Sequence, residues 1–367
     1  MNPRKAFARH HLLSTLVVMI LLITAAGCGG QQPASDDTSA PPAESSEPAE
    51  PSEPPSAAPT AEDSSQGTFP ATVEHRYGTT EITEAPERIV TVGLSDHDVV
   101  LAFGIAPVAV TDWYGDYPST TWPWAQDELG DAEPEIMNKG EFTGTQNFQF
   151  EQIAALEPDL IIGLYTGMTE QEYDTLSQIA PTVAPSGDYP DYGMPWQEST
   201  RMVGQALGQP ERAEEMIADV DALFAQAAAE HPEFEGVEMV VAEVFEPGSS
   251  FARSATDPRT VFMTSLGFSL PDDIAELAGD KDGAPISDEQ MNLLDRELLV
   301  WNIGFEPELR ADIEGKPLYP QLDVVKDDRV LFIEDPLVSG ALTWATVLSL
   351  PYALEHLVPD LADTVNN

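Results

Sequence analysis

The chain has 367 residues, with 64 acidic against 16 basic side chains and a formal net charge of −48. An acidic excess of that size argues against nucleic acid as a partner and against polybasic docking to anionic lipid. The length allows roughly two domains, and 42% apolar residues are enough to build cores, which excludes disorder throughout.

The first element is an export signal. Arg4, Lys5 and Arg9 precede an apolar run from Leu12 to Ala26, followed by Gly27 and the one cysteine of the chain, Cys28. Positive head, short apolar run and small residues are the pattern of a secretory signal; a membrane span needs roughly 20 apolar residues. The segment Ala25-Ala26-Gly27-Cys28 resembles the lipobox of bacterial lipoproteins, with Ala25 where leucine is commonest. That resemblance implies cleavage before Cys28 and a diacylglyceryl group on its thiol. The mature protein is then expected outside the cytoplasm, held on the outer face of the cell membrane. A single cysteine also leaves no internal disulfide and no thiolate cluster for a metal.

Residues 1–27 are thus the signal peptide, and 28–67 carry the lipidated cysteine and a tether. From Gly29 to Gly67 the chain is rich in Pro, Ser, Ala, Glu and Asp and has no Lys, Arg or aromatic residue. Such a stretch buries too little apolar area to offset chain entropy, and its prolines favour extended polyproline conformation. From Thr68 onward 13 basic residues face 56 acidic ones, so the acidity belongs to the folded part.

The folded part opens with alternation from Thr72 to Ile82 broken at Gly78, which predicts a β-hairpin. Strands are expected at Arg88–Val92, Val108–Thr111, Leu160–Leu164 and Thr182–Ala184. Helices are expected from Ser95, as cap, to Phe103, at Phe150–Leu156 and at Glu170–Ile179. This βα rhythm predicts a mostly parallel sheet with helices on both faces. A second set follows, with strands at Val237–Phe245, Leu298–Ile303 and Val330–Ile333. Its helices are expected at Arg259–Leu266, Asp288–Leu294 and Leu342–Leu361, the last interrupted at Pro351.

Between the sets lies the longest helical pattern, Pro210 to Glu230, with Pro210 at its first position, acids in its first turn and Pro232 ending it. Ala213, Met216, Ile217, Val220, Leu223, Phe224 and Ala227 form one apolar stripe. At 1.5 Å per residue this helix would run roughly 30 Å, from one small domain to another. The fold class expected is α/β, with an N-terminal lobe at 68–209, an interlobe helix at 210–231 and a C-terminal lobe at 232–367.

Six segments in order then carry a resemblance: Pro86–Val92, Gly104–Val108, Phe148–Ile162, Ile179–Val183, Ile286–Gln290 and Ser349–Tyr352. Together they resemble the iron-siderophore group of ABC-transporter substrate-binding proteins, relatives of the vitamin B12-binding protein, over essentially all of Thr72 to Val365. The resemblance implies two Rossmann-like lobes on a rigid connecting helix, a ligand cleft between them, a ferric siderophore as ligand and an ABC permease as partner. It implies a binding protein, not an enzyme, working as a monomer and needing no cofactor of its own.

In open α/β sheets ligands bind beyond the carboxyl ends of strands. There the sequence places Trp113 and Tyr114 after one strand and Tyr165 after another, with Phe251 and Arg253 in a Gly/Ser-rich loop of the second lobe. Aromatic rings pack on a chelate shell, and a guanidinium forks onto its oxygens. By position in the family, ligand contact is carried to Trp113, Tyr114, Tyr165 and Arg253. Arg259, at a helix start, is read as pairing locally, and Trp301 and Trp344 as core or cleft rim. Since a folded part at −43 repels an anionic chelate, the cleft is expected to be less negative than the surface around it.

The family also resembles itself in carrying one exposed glutamate per lobe that docks on the permease, and the matching positions are Glu151 and Glu289. His75, His97, His231 and His356 are scattered and read as surface or helix-end residues, which argues against a zinc or manganese site. No Gly-rich phosphate loop occurs in the folded part. Haem or a corrinoid as ligand of the same fold, and a sensor or adhesin without transport, remain as alternatives.

Overall fold

The structure, a computed structural model, describes residues 67–113, 115, 117–139, 147–244 and 249–367. The signal peptide, Cys28, all of the tether but Gly67, and Tyr114 lie outside the described residues. An antiparallel hairpin comes first, β1 (Ala71–His75) and β2 (Gly78–Ile82), with His75 opposite Gly78.

The N-terminal lobe follows as β3 (Ile89–Thr91), α1 (Asp96–Ala102), β4 (Ala109–Thr111), α2 (Gln126–Leu129), β5 (Glu135–Met137), α3 (Phe150–Ala155), β6 (Leu160–Ile162), α4 (Glu170–Leu176), β7 (Thr182–Val183) and α5 (Trp196–Ala206). Its five strands are all parallel in the order β5-β4-β3-β6-β7. The chain moves outward from β3 to β5 and then returns to the other side of β3, so a crevice opens at the carboxyl ends of β3 and β6. Strands β3, β4 and β6 are buried at every residue, which is why they read as continuous apolar runs and not as alternation.

Next come α6 (Pro210–Glu230), β8 (Met239–Glu243), β9 (Ser249–Arg253), α7 (Pro258–Ser265), α8 (Asp272–Ala278), β10 (Gly283–Ser287), β11 (Leu298–Asn302), α9 (Leu309–Glu314), α10 (Asp323–Lys326), β12 (Val330–Ile333), α11 (Pro336–Trp344) and α12 (Ser349–Val365). The second sheet has the order β10-β9-β8-β11-β12, with β8, β11 and β12 parallel and β9 antiparallel to both its neighbours. Helix α6 spreads its buried face over both lobes: Ala213 belongs to the N-terminal core, and Ile217, Val220 and Phe224 belong to the C-terminal core. Leu223, expected in that stripe, is 41% exposed.

Several expectations are corrected. The segment at 249–253, read as a loop, is strand β9, whose partner β10 carries Pro285; a proline tolerates only an edge strand, and β10 is one. Helix α5 was not foreseen, because buried Thr200 and Gly204 interrupt its apolar face; the Thr200 hydroxyl donates back to the Trp196 carbonyl at 2.8 Å. Residues 288–294 are a 3₁₀ helix. The helical stretch expected at 342–361 is two helices, broken not at Pro351 but at Ala345, whose φ is 45°. Pro351 stands in the first turn of α12, where a missing N–H costs nothing. Ser95 precedes α1 without a side-chain capping bond. His97, at the start of α1, is 1% exposed and His75 is also buried, so these two are not surface residues.

Candidate functional site

The loops that leave β3, β4 and β6 meet the C-terminal lobe. At the start of α1, the Asp96 carboxylate accepts the Leu164 N–H at 2.7 Å and the Tyr165 N–H at 2.9 Å, which fixes the loop leaving β6. Gly93 makes room for it, since a Cβ there would collide with that carboxylate. Burial pushes the Asp96 carboxyl up to about 6, against the pull of the three backbone N–H bonds it accepts. Tyr165, held in this way, has its phenol pushed up to about 12 by desolvation.

Aromatic rings line the meeting place. Trp113, leaving β4, lies with its ring centroid 4.2 Å from that of Trp344 in α11 and 6.0 Å from that of Tyr165. Tyr192 stands edge-on to Tyr165 at 5.3 Å. Behind them Trp122 packs on Trp344 at 4.7 Å and on Trp124 at 4.9 Å. Trp122 reaches α11 because Gly340 presents no side chain; a Cβ at that position would enter the indole ring.

The C-terminal wall is ionic. Glu243, the last residue of β8, takes Arg253 on one carboxylate oxygen, and on the other the Arg259 Nε at 3.1 Å and the Asn302 amide at 2.7 Å. Asp257 caps α7 by accepting the Arg259 N–H at 2.9 Å, and its carboxylate lies 3.3 Å from Arg253 Nη1 and 3.0 Å from Arg259 Nη1. Burial, with the Arg259 guanidinium close by, pulls Arg253 down to about 10, so it stays charged at neutral pH.

Two adjoining cavities occupy the cleft. One of about 280 Å³ is walled by Trp113, Tyr165, Tyr192 and both arginines. The other, about 180 Å³ and mostly apolar, is walled by Trp196, Phe224, Phe262 and Trp344 among others. Tyr165, Gly193, Thr256 and Pro258 border both. In the larger cavity's wall the bases Arg253, Arg259 and Lys281 stand nearly level with the acids Asp191, Asp257, Asp280 and Asp282, whereas acids outnumber bases 56 to 13 over the fold as a whole.

The structure thus brings Trp113, Tyr165 and Arg253 together. Arg253 projects from a strand end and not from a loop. Phe251 lines neither cavity; its ring lies under the Arg253 guanidinium at 5.3 Å. Arg259 pairs locally and also walls the cleft. Trp301 is core, and Trp344, 3% exposed, borders the apolar cavity. Glu151, in the first turn of α3, and Glu289, in the 3₁₀ turn at 288–294, are both exposed. Sequence reasoning missed Asp96, Asp98, Glu243 and Asp257; the available signal was the run Ser95-Asp96-His97-Asp98 directly after the carboxyl end of a strand. Among the described residues no group of three or more His, Cys, Asp or Glu could hold a metal ion, and no helix is long and apolar enough to cross a membrane.

Residues 89–337, which span both sheets, match the family model described as periplasmic binding protein. The chain belongs to the periplasmic binding protein family. Members of the family are binding proteins rather than enzymes. A solved periplasmic binding protein, the periplasmic solute binding protein of Mycobacterium smegmatis, is 31% identical with a TM-score of 0.71, covering 80% of this chain and 98% of that one. The PiaA protein of Streptococcus pneumoniae, solved with ferrichrome, shares the fold at a TM-score of 0.69 and 24% identity, over 81% of this chain and 99% of its own. The ferric-anguibactin-binding protein FatB of Vibrio anguillarum is 22% identical over 307 residues, 79% of this chain and 87% of that protein.

Proposed function

We propose that this protein captures a ferric siderophore between its lobes and delivers it to an ABC permease for iron uptake. The observation that carries the reading is the cleft in which Trp113 packs at a tilt against Trp344 and lies near Tyr165, beside the buried Arg253 and Arg259. Aromatic faces accept the organic shell of a chelate, and the ion-paired wall supplies fixed N–H donors. FatB and the Fe(3+) dicitrate-binding protein FecB of Escherichia coli, both relatives by sequence, are named for ferric chelates, which supports the same assignment.

In this reading the lobes are residues 68–209 and 232–367, and α6 is the rigid link at 210–231. Cys28 carries the lipid that holds the monomer on the outer face of the cell membrane, with residues 28–67 as tether; a Bacillus subtilis relative, YhfQ, is described as a putative substrate-binding lipoprotein. Glu151 and Glu289 dock on the permease, and Tyr114 joins Trp113, Tyr165 and Arg253 at the ligand.

The test is tryptophan fluorescence of the purified protein during titration with a panel of ferric siderophores, haem and cobalamin. Saturable quenching by at least one ferric siderophore is expected, since Trp113 and Trp344 border the cleft. Quenching by haem or cobalamin alone would overturn the assignment of the ligand, and no response to any of them would overturn the assignment of the cleft.

A further inference from the structure

The charge balance of the cleft goes further than the proposed function, on which it rests. The two buried cations, Arg253 and Arg259, are matched by two buried carboxylates, Glu243 and Asp257, each of which lies within ion-pair distance of both arginines. Both carboxylates are also pinned from elsewhere: Glu243 by the Asn302 amide and Asp257 by a backbone N–H. An anionic ligand that drew either guanidinium away would leave a carboxylate buried without its partner. That loss exceeds what one new charge-assisted bond returns. The rim adds no positive excess, because Lys281 sits between Asp280 and Asp282, and Asp191 is taken by Arg76 at 2.5 Å. The remaining wall is uncharged and includes the rings of Trp113, Tyr165 and Tyr192, and ring faces carry negative quadrupole charge that attracts cations and repels anions.

Iron(III) chelates differ in charge by simple electron counting. Three hydroxamates, each singly anionic, neutralise the metal, and a pendant amine makes the complex cationic; three catecholates, each doubly anionic, leave it trianionic. We infer that this cleft selects neutral or cationic ferric chelates, the tris-hydroxamate class, over polyanionic tris-catecholate and citrate complexes. Arg253 and Arg259 act as a charge-neutral scaffold that presents N–H groups, and the carboxylates beside them exclude the polyanions.

Calorimetric titration at low salt with ferrioxamine B, which carries a free amine, and with an iron(III) tris-catecholate reads the preference directly. Binding of ferrioxamine B tighter by at least about tenfold is expected. In Asp280→Asn/Asp282→Asn, which neutralises two exposed rim acids, one of them Asp282 at 3.7 Å from Arg253 Nη1, the gap should narrow through gain of tris-catecholate affinity. Equal or tighter binding of the tris-catecholate by the unaltered protein would overturn the inference and leave ferric-chelate capture standing. An unchanged gap in the double variant would overturn its electrostatic cause. Binding of neither chelate would overturn this inference, and only silence across the whole siderophore panel would remove the proposed function with it.

Discussion

The Thr346 hydroxyl donates to Oδ2 of Asp98 at 2.9 Å, a bond between the turn that links α11 to α12 and the first helix of the other lobe. The Trp124 indole N–H reaches the same oxygen at 2.7 Å. Asp98 is fully buried, and His97, 3.6 Å away, is too distant for a hydrogen bond. A buried carboxylate with so few donors depends on each of them. Thr346→Val is therefore expected to cost about 2 kcal/mol in denaturant unfolding, and Thr346→Ser, which keeps the hydroxyl, less than about 1 kcal/mol. Equal losses in the two variants would show that the methyl group, and not the bond, matters.

Asp96 gives the protein a pH signature. Its carboxyl is pushed up to about 6 in the fold from the usual 3.8. The folded state therefore holds this proton after the unfolded chain has released it, so the group's contribution to stability falls as pH rises through that window. The drop amounts to about 2 kcal/mol between pH 4 and pH 7. Asp96→Asn has nothing to titrate at that site. The stability of the unaltered protein minus that of Asp96→Asn should decline across the window by this amount; a flat difference would contradict the raised carboxyl.

Glu151 and Glu289 stand exposed, one on each lobe, in the first turn of a helix or 3₁₀ segment. Neither borders the ligand cavities. The double charge reversal Glu151→Arg/Glu289→Arg should abolish uptake in cells while the purified protein keeps its affinity for the ferric chelate. Normal uptake by that variant would remove the two glutamates from docking.

The folded part carries 56 acids and only 13 bases, four of them lysines. Self-repulsion of that size destabilises the compact state and is screened over about 3 Å at 1 M salt. The melting temperature is expected to rise from low salt to molar potassium chloride. A melting temperature independent of salt would show that the surface does not need screening.

The βα rhythm and α6 were legible in the sequence because both are local periodicities: continuous β-branched runs mark buried parallel strands, and the stripe from Ala213 to Phe224 marks a helix face. Strand β9 was not legible, because Ser249, Ser250 and Ala252 have no strand pattern until β8 and β10 pair with them. In the site, Trp113 and Tyr165 could be found from their place after strands. The burial of Asp96 and Asp98 could not, since acids in so acidic a chain read as solvated surface. Nor could the pairing of Arg253 with Glu243 and Asp257, which turns an expected anion hook into a neutral scaffold. The seat of Trp122 on Gly340 joins residues more than two hundred positions apart, beyond any sequence window.

The central claim, that the cleft between the lobes binds a ferric chelate, is tested most directly by calorimetric titration of the protein and of Trp113→Ala with ferrioxamine B. One equivalent should bind to the unaltered protein, and loss of the indole that packs against Trp344 should weaken binding by at least about tenfold. Unchanged affinity in Trp113→Ala would place the ligand elsewhere and contradict the account.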